Sequence, residues 1–191
     1  MRAVSRFRKI LKGSGRVWTL PVRIAVAAIG IGLVLGGCAE VVRHPISPQQ
    51  ARAQVVDAVR DIVNSLHAEV TEATFSYESC NDQGEPPFRG VVDLSFWMPG
   101  VSHDGPADPK TVISTLVADG WSTDSDFISH SPTLRKKDVN AIVTVVPPAL
   151  HGEGFNSHVG VKLDGECRDT FDHRKDHSIL PVDISKEIQQ P

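Results

Sequence analysis

The apolar positions of this chain change their spacing several times, and each change marks an element. A continuous apolar run, Ile24 to Val34, comes first. Beyond residue 47 the pattern becomes periodic. Ala51, Val55, Ala58, Val59, Ile62 and Leu66 recur at spacings of three and four, which puts them on one face of a helix over Pro48–His67. Arg52, Asp57, Arg60 and Asp61 take its other side. Ser47-Pro48-Gln49-Gln50 reads as its start: Ser47 can cap, Pro48 fits the first helical position, and Gln50 can reach back to close a capping box.

The period then falls to two. Ala73–Cys80 alternates Ala73, Phe75 and Tyr77 against Thr74, Ser76 and Glu78, the pattern of a half-buried strand. Asn81–Pro87 is turn chemistry. Phe88–Met98 is a second strand, with Phe88, Gly90, Val92, Leu94, Phe96 and Met98 on one face. Asp108-Pro109 opens a second helix, Pro109–Asp119, whose stripe is Val112, Ile113, Leu116 and Val117. Gly120 suits the left-handed stop, with Trp121 folding back on the last turn. Phe127-Ile128 and Leu134 predict short strands around Ser131-Pro132. β-Branched Val139–Val146, ended by Pro147-Pro148, is the next strand, and Val159, Val161 and Leu163 alternate into a last one that reaches Cys167. The order is α-β-β-α-β-β-β. Short connections favour antiparallel pairing, so the expected fold class is α+β, a mainly antiparallel sheet with two helices packed on one face. The expected organisation is a leader over 1–37, a tether over 38–47, one α+β domain over 48–170, and a polar C-terminal tail over 171–191.

Charge gives the first run its meaning. Residues 1–37 hold Arg2, Arg6, Arg8, Lys9, Lys12, Arg16 and Arg23 and no acid. Positive charge before an apolar segment retains that end in the cytoplasm. Ile24–Gly37 is 14 residues, short of the roughly 20 that span a bilayer. Leu35-Gly36-Gly37-Cys38 closes the segment with small residues before a cysteine. This arrangement resembles the lipobox of bacterial lipoproteins. The resemblance implies cleavage before Cys38, a diacylglyceryl lipid on its thiol, and a protein held at the cell membrane on the extracytoplasmic side. The alternative is an uncleaved signal anchor reaching back to Val17, which would place Pro21 and Arg23 inside the span.

Removing the leader makes the net charge more negative than the chain-wide −3. Seven of 20 Lys and Arg residues leave with it and none of the 23 acids, so residues 38–191 carry 13 against 23, a formal net charge of −10. That argues against nucleic acid as a partner, since phosphate binding needs a basic face. The cysteines agree with export. With Cys38 taken by lipid, Cys80 and Cys167 form an even pair in an oxidising compartment, and a disulfide is expected. It would close a loop of roughly 90 residues, for which the loop-entropy model gives about 4 kcal/mol. A metal pair more often sits close together, and a catalytic thiol needs a base.

Residues after Cys38 also resemble small actinobacterial lipoproteins of the LppA-like kind. The points of likeness are the helix after the lipid cysteine, Glu78-Ser79-Cys80-Asn81-Asp82, Gly120-Trp121, and Leu163-Asp164-Gly165-Glu166-Cys167. The resemblance implies architecture and location and transfers no catalytic residue.

Chemistry beyond this is sparse. No G-x-S-x-G, S-x-x-K, P-loop, G-x-G-x-x-G or H-E-x-x-H motif occurs. All eight histidines follow Cys38. His151 and His158 flank Gly152-Glu153-Gly154 and with Glu153 could hold zinc; exposed loop histidines are the plainer reading. His173 and His177 have H-x-x-x-H spacing, which needs a helix that the surrounding sequence does not support. Asp124-Ser125-Asp126 and Asp164-Gly165-Glu166 are turns rather than calcium loops. Trp97, Trp121 and Phe155 are candidates for the rim of a groove. The expected function is therefore a non-catalytic binding or accessory role at the outer face of the cytoplasmic membrane. Its partners would be the membrane through Cys38, an envelope protein or a lipid ligand, with no metal or cofactor. The alternative is a metal-dependent or scattered-site hydrolase of the cell envelope. A pocket with a nucleophile and base in reach would favour the second, a groove without them the first.

Overall fold

The structure is a computed structural model that describes residues 44–125, 127–146 and 157–189. Helix α1 is Pro48–Leu66. Both halves of the capping box form: the Gln50 N–H donates to Ser47 Oγ at 3.2 Å and the Ser47 N–H to Gln50 Oε1 at 2.9 Å. His67 ends the helix in the left-handed region, φ 49°. Strands β1 (Glu69–Ser79) and β2 (Phe88–Trp97) make a long antiparallel hairpin with a bulge between Val70 and Glu72. Helix α2 is Pro109–Ala118. Asp108 caps it by accepting the Lys110 and Thr111 N–H groups. At the other end Gly120 takes φ 93°, its N–H donates to the Val117 carbonyl, and the Trp121 N–H donates to the Leu116 carbonyl. This is the stop expected from Gly120-Trp121.

Strands β3 (Thr133–Lys136) and β4 (Val139–Val145) form a second hairpin, and β5 (Val159–Asp164) follows. Two short elements complete the chain, β6 (Val182–Asp183) and the single-turn helix α3 (Ser185–Ile188). The sheet runs β3-β4-β5-β2-β1-β6, with every strand pair antiparallel. Strand β5 enters between the two hairpins and joins them.

One face of the sheet carries the core. Ala73, Phe75, Tyr77, Phe88, Val92, Leu94, Phe96, Val139, Ala141, Val143, Val159, Val161 and Leu163 meet Val55, Val56, Val59 and Ile62 of α1, with Val112 and Leu116 of α2 in the same cluster. The approach of α1 to β2 is close. A Cβ on Gly90 would sit 2.5 Å from the Ala51 carbonyl oxygen, so only glycine fits there. Cys80 and Cys167 are joined, their Cα atoms 5.9 Å apart, tying the end of β1 to the segment after β5.

Two expectations need correction. The pair Phe127-Ile128 is not a strand: 127–132 is loop, and Ile128 is 96% exposed. Residues 171–189, expected as a polar tail outside a domain ending at 170, are part of the packed structure. Strand β6 pairs with Thr74 and Phe75, the Ile184 N–H donates to the Ala73 carbonyl, and Ile184 and Ile188 are buried in the core. Glu187 holds α3 onto α1 through Arg52 (3.1 Å) and Arg60 (3.2 Å). Among the described residues, no helix is long and apolar enough to cross a membrane.

Candidate functional site

Two buried histidines lie outside the apolar pattern. His158 is fully buried. Its Nδ1 accepts the Met98 N–H at 3.0 Å, and its Nε2 lies 2.9 Å from the Ser102 carbonyl oxygen. An amide can only donate and a carbonyl only accept, so the ring proton is on Nε2. Both nitrogens therefore pin the Met98–Ser102 turn. Trp97 stands edge-on to this ring at 4.5 Å and stacks on His103 at 4.2 Å. His151, Glu153 and Phe155, the other members of the sequence-level cluster and groove, lie outside the described residues, as does Cys38.

His173 lies under the C-terminal segment. Its Nε2 is 2.8 Å from Asp169 Oδ2 and its Nδ1 is 2.6 Å from Ser178 Oγ. Tyr77 stacks on it at 3.6 Å. Burial, then the Asp169 charge, raises the Tyr77 phenol to about 12; its hydroxyl donates to the Pro48 carbonyl at 2.7 Å. His177 is exposed at φ 61°, so the H-x-x-x-H pair does not converge. The serine, histidine and aspartate form a hydrogen-bonded chain that no motif announced. Ser178 Oγ also lies 2.6 Å from Asp176 Oδ1 and has one proton to share between Asp176 and the ring. The ring is 1% exposed, so the chain fastens Ser178 and Asp169 around Tyr77 beneath the surface.

Among the described residues, two clefts bear on the site. One, about 420 Å³, lies between α1 and the β3–β4 hairpin and includes Gln54, Asp57, Asp61 and Lys136. Lys136 bridges Asp61 (2.6 Å) and Asp119 (3.0 Å), and Trp121 donates its indole N–H to Asp61 at 3.2 Å. Trp121 is thus a buried core side chain, not the rim of a groove.

The second, about 460 Å³, lies on the sheet face away from the helices and is lined by Arg89, Phe127, Arg135, Asn140, Gly165 and Arg168, among others. The pairing of β5 with β2 and β4 places Asp164 opposite both Val91 and Asn140 on that face. Asp164 is 1% exposed and neither carboxylate oxygen has a hydrogen-bond donor. Arg89 Nε lies 3.6 Å from it and also lacks a hydrogen-bond partner, and Arg89 Nη2 is 3.7 Å from Glu78. Burial raises the Asp164 pKa against the opposing pull of Arg89 and Lys162. Arg168, by contrast, is engaged: Nη1 meets Glu166 at 2.8 Å and Nε donates to the His44 carbonyl at 2.8 Å. Arg89 makes no hydrogen bond through Nε, and its planar fork is of the kind that suits a carboxylate or phosphate.

The combination defines a class: a small α+β domain closed by the Cys80–Cys167 disulfide. A protein-family profile described as "Putative lipoprotein LppJ" matches residues 47–187. The chain is 32% identical over 186 residues to "Putative lipoprotein LppJ" of Mycobacterium bovis (strain ATCC BAA-935 / AF2122/97), covering 88% of this chain and 93% of the relative. The same figures hold for the protein of that description in Mycobacterium tuberculosis (strain CDC 1551 / Oshkosh). The chain belongs to the LppJ lipoprotein family. The LppA-like resemblance finds no support in these comparisons, and no solved structure matches.

Proposed function

We propose that this lipoprotein is anchored through Cys38 at the outer face of the cytoplasmic membrane. Its domain binds rather than catalyses, taking an anionic group of an envelope ligand in the cleft at Arg89. The observation that carries this is the Arg89 guanidinium, which lines a 460 Å³ cleft and whose Nε makes no hydrogen bond. Phe127, 5.9 Å from the Arg89 guanidinium, supplies an apolar wall.

The test is a titration of isotope-labelled protein with inorganic phosphate and, separately, acetate, followed by NMR. Amide shifts confined to residues around Arg89, Asn140 and Gly165 in the unmodified protein, and lost in Arg89→Gln, are the expected result. Shifts spread over the surface, or unchanged in Arg89→Gln, would overturn the assignment. Mass spectrometry of membrane-extracted protein tests the anchor separately, and should find a diacylated Cys38 at the N-terminus.

The hydrolase reading keeps one specific support, the Ser178–His173–Asp169 chain. Any ester or amide hydrolysis that vanishes in Ser178→Ala would favour it over binding. The expected result is no such activity and a modest loss of stability, about 1 kcal/mol for the lost hydrogen bonds.

A further inference from the structure

Most of the large apolar side chains exposed among the described residues sit in one stretch. Phe171, Ile179, Leu180 and Val182 all fall there, with Leu180 60% exposed; only Val117 and Ile128 lie elsewhere. The fold gathers them at the β1 edge. Phe171 stands edge-on to His173 at 4.9 Å. Ser178 bonds that same ring and its carbonyl accepts the Tyr77 N–H. Ile179 and Leu180 follow, and Val182 pairs with Phe75. A contiguous exposed apolar patch marks an interaction site more often than chance.

The occupant follows from where the chain enters the domain. The His44 carbonyl accepts from Arg168, and Ile46 bridges to Asp169, two residues before Phe171. Six peptide units separate His44 from Cys38, and an extended chain of that length reaches at most about 20 Å. Strand β1, with 11 residues, is about 37 Å long at the usual rise. A lipid on Cys38 therefore lies within about 20 Å of the 44–46 and 168–171 corner, so this corner is the part of the domain that the anchor keeps near the bilayer.

We propose that Phe171, Ile179, Leu180 and Val182 insert into the lipid surface to which Cys38 is anchored, fixing the domain with its β1 edge down. The proposal rests on the anchor but not on the Arg89 cleft. Attraction comes from apolar burial. The residues after the leader are net negative, and Arg174 is occupied by Asp172 at 2.7 Å, so electrostatic attraction to anionic headgroups adds little. Contact should accordingly withstand salt, unlike a polybasic association.

The experiment uses the full lipidated protein in phosphatidylglycerol–phosphatidylcholine vesicles with brominated acyl chains, which quench tryptophan on contact. Leu180→Trp places a probe in the patch. Ile128→Trp places one at an equally accessible position in the loop before β3, the opposite edge of the sheet. Flotation reports anchoring independently. About half or more of the added Leu180→Trp emission should be quenched, with little at Ile128→Trp and no release by salt. Co-floating protein with neither probe quenched, or both quenched alike, overturns the docking and leaves the anchor standing. Protein that does not float overturns the anchor and the docking with it.

Discussion

The two faces of the sheet are built from the same strands and obey opposite rules. On the helix side Leu94, Val92 and Leu163 form a closed apolar layer under α1, with Gly90 trimmed so that the helix backbone lies on the strand. On the other side the alternate positions of the same strands carry Glu78, Arg89, Asp93, Lys162 and Asp164. Lys162 reaches Glu78 at 2.9 Å, yet the deepest carboxyl, Asp164, has no donor. One face is optimised for stability. The other buries a carboxyl that makes no hydrogen bond, with Arg89 3.6 Å away.

The largest effect should come from the covered face. Leu163→Ala removes a fully buried side chain at the junction of the two hairpins and should cost about 3 kcal/mol, read from urea unfolding with an unchanged slope. Asp164→Asn, one residue along on the opposite face, should have the reverse sign, stabilising by about 1 kcal/mol at neutral pH. The pH dependence follows from burial raising the Asp164 pKa. The penalty is present where the carboxyl is ionised, above its raised folded pKa. It is relieved as pH falls through that value to below the ordinary 3.8, because the folded state then takes up the proton more readily than the unfolded chain. The gain from Asn should therefore close in mild acid. A gain that persists or grows below that range would show that the carboxyl is not the source of the cost. Lys162→Ala should change stability by about 0.5 kcal/mol or less, since its partner Glu78 is half-exposed and solvent screens the pair.

What the sequence made legible was local. The capping box at Ser47, the Asp108-Pro109 start and the Gly120-Trp121 stop depend on residues within a few positions, and the structure forms all three. Phe127-Ile128 misled because two adjacent apolar residues near a proline look like a short buried strand, and only tertiary context leaves Ile128 in solvent. The C-terminal stretch misled in the other direction. Its average character is polar, and its place in the fold rests on Ile184, Ile188 and the ion pair from Glu187 to Arg52, 135 residues away. The Arg89–Asp164 pair becomes neighbours only through the register of β2 on β5. The Ser178–His173–Asp169 chain was local enough to be found. The H-x-x-x-H spacing points from His173 to His177 instead, a helical pairing that a turn cannot make.

The place of β5 bears on how the molecule comes to exist. The strand that joins the two hairpins is made after both, and the cysteine that locks Cys80 follows it by three residues, 87 positions downstream of its partner. Until that part of the chain arrives, β2 and β4 each present an unpaired edge and Cys80 a reduced thiol. A topology so dominated by distant pairings is slow to form, and half-finished sheets with open edges are the species that aggregate. A chain built this way cannot mature piecemeal. The sheet closes only once β5 and Cys167 are present.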